Sequence, residues 1–254
     1  MENTTSLQNL LFRMADDALV IGHRHAEWTG LGPTLEEDIA FSSIAQDKLG
    51  QSQALYTLLH QLGEALPDTL AFTRNENDMR CCHLVEIPNN DDYAFSLMRH
   101  FLFDTAEKLR YSALEGSSFE PLAQLARKVR GEIKYHVFHA NTWVIQLSAA
   151  GTVESKARMQ AALNEVFPLA FGIFEDSGVE QELIDTGTFI GEKVLQELWL
   201  DEVKTVLEKA TLTLPDVTDV SNALGGRKGY HTEHLQPLID EMTEVFRIDP
   251  TATW

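Results

Sequence analysis

Glu132, His136 and His139 have the residue types of metal ligands, and their spacing places all three on one side of a predicted helix. They interrupt an apolar seam whose residues recur every three or four positions, as they do in a helical bundle. Carboxylates and imidazoles that project into the core of such a bundle are the ligands of di-iron sites. The chemistry that this pattern suggests is metal-dependent redox chemistry.

Asp47 occupies the same kind of position in another predicted helix, at the centre of an apolar seam that runs from Ala40 to Leu58. A buried carboxylate is costly unless it is paired or bound to a metal, so metal ligation is one interpretation. The alternative is structural. Glu132 and His136 then form a simple polar pair one helical turn apart, and a second, fully apolar seam of their helix faces the core.

The inventory of histidines argues against a standard di-iron site. Ferritin-like sites use one Glu from each of two helices and a Glu-x-x-His motif from each of two others. None of the nine histidines has an acidic residue three positions before it, and Tyr135 stands three positions after Glu132. The sequence therefore predicts that ordinary di-iron chemistry is absent, and an oxidoreductase with an atypical metal site stays open as the rival hypothesis.

A second candidate site is the segment GGRKGYHTEHL, residues 225–235. Arg227 and Lys228 lie between glycines there, ahead of His231 and His234, so backbone amides and cations could hold an anion or contact a partner. A ligand-binding bundle without redox chemistry is the function that this interpretation implies. A tight turn before a capped helix explains the same residues without a ligand.

Composition limits the possible partners and the compartment. Lys and Arg total 20 against 39 Asp and Glu, a formal net charge of −19, which predicts binding neither to nucleic acid nor to anionic membranes. The charge suits a basic partner, or simply a solvated surface. No apolar run is long enough for a membrane span, and the first residues lack the features of a signal peptide. Cys81 and Cys82 are adjacent, which fits buried packing and a reducing cytoplasm better than a disulfide or a metal site.

Long helices are the elements predicted to position these residues. Helical periodicity and capping signals indicate helices over about 7–28, 34–63, from 92 onward, 121–151, 152–176, 188–210 and 232–247. Residues 64–91 are predicted to form an irregular connection with short helical turns, and residues 211–254 a loop followed by the last helix. This pattern predicts an all-α antiparallel bundle of about six to seven long helices in a single domain, residues 1–254.

Six motifs occur in order along nearly the whole chain: HAEWTG, IAQDKLGQSQ, DTLAFTRNE, LVEIPN, EIKYH and GGRKGYHTEHLQP. As a set they resemble the structural subunit of the bacterial ring-1,2-phenylacetyl-CoA epoxidases. The resemblance implies a ferritin-like bundle without a working di-iron centre of its own. It also implies that the chain binds and stabilises a separate catalytic partner, which carries the di-iron centre, activates dioxygen and epoxidises the ring of phenylacetyl-CoA.

The resemblance assigns roles to particular residues. Asp47, Glu132 and His136 become relics of a metal site that now fix the register of the helices as buried polar pairs, and the chain itself holds no cofactor. Two stretches are expected near the CoA portion of the substrate, although each could equally be ordinary surface. They are Asp78, Met79, Arg80 and Cys81 in the connection, and Gln181, Glu182 and Leu183 further along. Here DMRCCH is more polar and richer in sulfur than the corresponding segment of the family.

Overall fold

The computed structural model describes residues 5–249, and within them the chain forms helices and no strand. The predicted all-α fold is therefore confirmed. The helices are α1 Ser6–Ala26, α2 Leu35–Gln61, α3 Pro67–Phe72, α4 His83–Glu86, α5 Tyr93–Leu114, α6 Glu120–Ser148, α7 Val153–Ala170, α8 Glu180–Asp185, α9 Glu192–Lys209 and α10 Leu235–Ile248.

Side-chain caps set the starts of the long helices. The hydroxyl of Thr34 accepts a hydrogen bond from the amide of Glu37 at the start of α2, and the carboxylate of Asp92 accepts one from Ala94 at the start of α5. Both starts agree with the sequence prediction. The connection contains the expected short turns in α3 and α4, whereas α8 was not predicted.

Two predicted boundaries differ from the structure by more than three residues. The fifth predicted helix extends to residue 176, but α7 ends at Ala170, two residues after Pro168, and a 3-10 turn covers residues 171–174. The next predicted helix starts at residue 188, but α9 starts at Glu192 because Gly191 adopts a φ of 90°, outside helical geometry. Neither difference moves a candidate site residue.

The core of the molecule is formed by two helical hairpins, α1 with α2 and α5 with α6, joined by the long connection between α2 and α5. Two contacts show that α5 and α6 run antiparallel: Asp104 meets His136, and His100, one turn earlier in α5, meets His139 further along α6. Helices α7 and α9 pack against α5, and α10 packs against α3. Buried apolar residues from all these helices form one continuous cluster, as a bundle requires.

The loop before α10 is fixed by close backbone contacts. A Cβ on Gly226 would lie 2.2 Å from the carbonyl oxygen of Cys81, and one on Gly229 would lie 2.3 Å from that of Asn77. Gly225 and Gly229 also have positive φ, at 124° and 83°. The glycines of the GGRKG segment therefore let this loop press directly on the connection. Across residues 5–249, every helix is too short or too polar to cross a membrane.

Candidate functional site

A fully buried ion pair lies at the centre of the bundle. The ammonium of Lys48 on α2 is 2.7 Å from a carboxylate oxygen of Asp104 on α5, and both side chains are 0% exposed. Lys48 points inward because it occupies the same seam as Ile44, Gln51 and Leu55, which are all buried. The ammonium also lies 5.1 Å from the ring centre of Phe103, a cation–π contact that partly replaces lost hydration.

Asp104 connects this pair to the histidines. One of its oxygens is 2.8 Å from Nδ1 of His100 and the other is 3.2 Å from Nδ1 of His136. The second ring nitrogen of His136 lies 3.0 Å from Asp47, so His136 bridges two carboxylates. Burial disfavours the charged imidazole, but the hydrogen bonds to Asp104 and Asp47 raise the pKa of His136 above its ordinary value. Burial likewise opposes the charge on Asp104, and the Lys48 ammonium nevertheless holds the pKa of Asp104 well below its usual range.

A second branch of the network runs from His100 towards the start of α2. Nε2 of His100 is 3.3 Å from His139, whose other ring nitrogen is 2.9 Å from Glu37. Glu37 also accepts a hydrogen bond from the hydroxyl of Tyr93. Burial lowers the pKa of His100 to about 4, although Asp104 opposes that shift, so His100 is a neutral link that donates to Asp104 and accepts from His139.

The structure corrects the pairing of Glu132 with His136. Their partners lie on other helices: Glu132 accepts a hydrogen bond from Gln51 at 3.0 Å, and His136 binds Asp104 and Asp47. His136 is fully buried and points into the bundle, whereas Glu132 lies at its edge. The polar contacts therefore join helices to each other rather than successive turns of one helix.

These residues do not fit a dinuclear iron site. His25, His100 and Asp104 have ligand atoms within 4.8 Å of one another, which is the approach that a metal would need. However, the ammonium of Lys48 lies 2.7 Å from Asp104, and the ring nitrogens of His100 are engaged by Asp104 and His139. A dication would have to displace the ammonium and break these bonds against charge repulsion. The residues form a closed network in which each carboxylate already has its cation or donor.

His25 is a buried member of this region that makes no side-chain hydrogen bond among the described residues. It is 0% exposed, and neither of its ring nitrogens finds a hydrogen-bond partner within the described residues. Its ring instead packs edge-on against Phe41 and His100, at centroid distances of 5.2 and 5.3 Å. Burial lowers the pKa of His25 well below its ordinary value, so this imidazole is neutral in the folded protein.

Acidification should therefore destabilise the protein through His25. Below a pH of about 6.5, His25 takes up a proton in the unfolded chain but not in the folded one, so stability falls as the pH falls. Substituting His25→Leu should reduce the loss of unfolding free energy between pH 7 and pH 5 by about 2 kcal/mol. Urea unfolding at the two pH values measures this. The exposed His60→Leu serves as the control, and an equal pH dependence in His25→Leu and wild type would contradict the prediction.

Arg227 and Lys228, the predicted anion contacts, occupy different environments. Arg227 is buried, and its guanidinium donates to Asp17 at 2.7 Å and to the carbonyl oxygens of Arg80 and Ile173 at 2.8 and 3.0 Å. Lys228 is exposed and lies 3.3 Å from Glu175. The guanidinium of Arg227 is therefore already paired with a carboxylate of the same chain, that of Asp17.

The two histidines of the same segment also make internal contacts. His231 binds Glu86 at 2.7 Å through Nδ1, and its Nε2 lies 3.1 Å from the carbonyl oxygen of Met79. The backbone carbonyl of His234 is 3.4 Å from the guanidinium of Arg24. Cys81, Glu86 and His231 form a second triple with ligand atoms within 4.8 Å. Burial and the charge of Glu86 raise the pKa of the Cys81 thiol far above its usual value, which favours the protonated thiol.

The two stretches expected near the substrate lie at different places along α1. Residues 78–81 pack against the middle of α1 and the C-terminal loop: the amide of Arg80 donates to Asp16 at 2.6 Å. In this stretch Met79 and Cys81 are buried, whereas Asp78 and Arg80 are partly exposed. The other stretch, residues 181–183 of α8, lies beside the first turn of α1, where the hydroxyl of Ser6 donates to Glu182 at 2.6 Å. Gln181 is exposed and Leu183 is buried.

Sequence reasoning missed five members of the network: Lys48, His100, Asp104, Glu37 and Tyr93. The signals for them were present, although weak. Lys48 follows Asp47 directly in an apolar seam, and His100 and Asp104 are one turn apart in a helix whose neighbouring residues are mostly apolar. Taken together, the charged residues at seam positions of α2, α5 and α6 would have predicted a layer of buried polar side chains across the bundle.

Comparison with known proteins gives two findings. The model of a family described as phenylacetic acid catabolic protein matches residues 1–254. The C component of the 1,2-phenylacetyl-CoA epoxidase of Escherichia coli (strain K12) is 33% identical to the chain over 243 residues, which cover 95% of the chain and 96% of that relative. The similarity therefore extends over the polar network and the C-terminal loop alike.

Proposed function

The chain belongs to the family of phenylacetic acid catabolic proteins, and we propose that it is a non-catalytic structural subunit of a phenylacetyl-CoA epoxidase complex. Its membership of this family confirms the resemblance found in the sequence motifs. In the proposed role it binds and stabilises a catalytic subunit, and the di-iron centre belongs to that partner. The full-length similarity to one component of such an epoxidase supports the assignment to the complex.

The buried ion pair of Lys48 and Asp104 carries the non-catalytic part of the proposal. A redox di-iron site needs bridging carboxylates that are free to bind a pair of dications. Here the central carboxylate is bound by a lysine, and the other acids and imidazoles, apart from His25, are hydrogen-bonded to each other. Such a network joins α2, α5 and α6 to one another, as a scaffold protein requires. A metal ion bound at the same place would have to break these contacts.

In the proposed complex, phenylacetyl-CoA binds chiefly to the catalytic subunit, with residues 78–81 or 181–183 of this chain near its CoA portion. Arg80 and Gln181 offer partly or fully exposed polar groups at these two places. The buried free thiols of Cys81 and Cys82 agree with a reduced, cytoplasmic setting.

Co-purification tests the proposed role. The chain, co-expressed with the di-iron subunit of the same organism, should elute as a stable stoichiometric complex, and epoxidation of phenylacetyl-CoA should require that subunit. Alone, the chain should show no turnover. If the two proteins migrate separately at micromolar concentration, the scaffold role is wrong.

A second candidate function, an oxidoreductase with an atypical metal site, is favoured by one observation: the approach of His25, His100 and Asp104 to within 4.8 Å. Metal analysis of the chain purified without its partner separates the two functions. The scaffold proposal expects iron and manganese far below one equivalent per chain. Near-stoichiometric metal that is lost in Asp104→Asn would establish the second function instead.

A further inference from the structure

A groove of about 400 Å³ lies on the surface between α5 and α6. Its lining combines buried apolar side chains with cations from both helices. The residues that line it are Lys108, Tyr111, Ser112, Arg130, Ile133, Lys134, Val137 and Phe138. None of them belongs to the buried polar network, which faces the other side of α6.

The groove is basic in a strongly acidic protein. Helix α6 contains four cations and two carboxylates, in a chain of net charge −19. Lys108 pairs with Glu202, and Arg130 lies 3.4 Å from Glu115, a loose and exposed contact. Lys134 has no ion-pair partner among residues 5–249. A positive groove on such a surface attracts a negatively charged partner and repels a generally basic one.

The rim of the groove also exposes apolar surface. Phe138 is 69% exposed although Ile133 and Val137 beside it are buried, so its ring lies open to solvent at the edge of an apolar floor. The floor includes Tyr111, whose buried hydroxyl has no hydrogen-bond partner within the described part of the chain. An exposed aromatic side chain ringed by charge is typical of the central anchor of a protein interface.

We propose that the groove between α5 and α6 is a docking surface for the catalytic subunit of the epoxidase complex, which would present carboxylates around an apolar side chain. The inference rests on the proposed function and adds to it the face that the partner covers. The apolar side chain packs against Phe138, Ile133 and Val137, and the carboxylates meet Arg130 and Lys134. The groove gathers positive charge and apolar area in one place, which is complementary to a partner surface of carboxylates around an apolar side chain.

Charge reversal and removal of the aromatic ring test the groove separately. Arg130→Glu combined with Lys134→Glu should weaken binding to the catalytic subunit at least about tenfold, and Phe138→Ser about tenfold. The affinity of wild type should fall between about 0.1 M and 1 M salt, and the double variant should lose that dependence. Matched controls on α10, Arg247→Glu and Val245→Ser, should bind as wild type does. Biolayer interferometry with the purified catalytic subunit gives these values.

The outcomes distinguish failure of the docking surface from failure of the proposed function. If wild type does not bind the catalytic subunit, the scaffold role itself fails. If wild type binds and the groove variants bind equally well, the scaffold role stands and the docking surface is wrong. If the chain self-associates and the groove variants abolish this, the groove binds a second copy of the chain. If the isolated chain binds phenylacetyl-CoA and Lys134→Glu removes that binding, the groove is a ligand pocket. Either result overturns the proposal.

Discussion

Replacing Lys48 with methionine should lower the free energy of unfolding by about 3–5 kcal/mol near pH 7. Methionine nearly preserves the volume of the side chain, so the change removes the charge and leaves little cavity. The carboxylate of Asp104 then stays fully buried with only neutral or shared donors, and its desolvation is no longer offset by an ammonium 2.7 Å away. Urea unfolding followed by circular dichroism measures the difference.

Two further variants separate loss of the pair from loss of packing. Lys134→Met makes the same substitution at an exposed position of α6 and should change stability by no more than about 0.5 kcal/mol. Asp104→Asn, added to Lys48→Met, removes the uncompensated charge and keeps hydrogen-bonding capacity for His100 and His136. The double variant should therefore be more stable than Lys48→Met alone. A loss below about 1 kcal/mol in Lys48→Met would show that Asp104 does not depend on the lysine.

The helices could be predicted because their signals are local. Thr34 and Asp92 cap α2 and α5 where the sequence places them, and the apolar periodicity of each long helix reports its buried face. The end of α7 and the start of α9 were less predictable, since they depend on how Pro168 and Gly191 are accommodated in the packed chain. Helix α8 has six residues, too few for a period to be visible.

The polar network was only partly predictable because its contacts join different helices. From one helix alone, Glu132 and His136 look like a pair, since a single sequence segment shows only its own neighbours. Their true partners, Gln51, Asp47 and Asp104, depend on how α2, α5 and α6 rotate against each other. The absence of Glu-x-x-His could be read directly from the sequence, whereas the contact between Lys48 and Asp104 joins two helices and could not.

The C-terminal loop gives the second large expected effect. Arg227→Met should lower the free energy of unfolding by about 3–5 kcal/mol, because it leaves the carboxylate of Asp17 buried without its cation. It also leaves the carbonyl oxygens of Arg80 and Ile173 without the guanidinium that donates to them. Arg227 links the loop to α1 and to the connection between α2 and α5. Its removal should therefore weaken the attachment of the loop to both. The same urea experiment measures the change.

The neighbouring residue provides the control that decides between structure and ligand binding. Lys228→Met removes a cation that is 59% exposed and should cost less than about 1 kcal/mol. If Arg227 and Lys228 formed an anion site instead, their substitutions would weaken binding of a CoA ester together and affect stability little. The structure predicts the opposite pattern, since Asp17 already occupies the guanidinium of Arg227. A large stability loss in Arg227→Met, with Lys228→Met near wild type, would therefore identify the GGRKG segment as an internal tie between α1 and the connection.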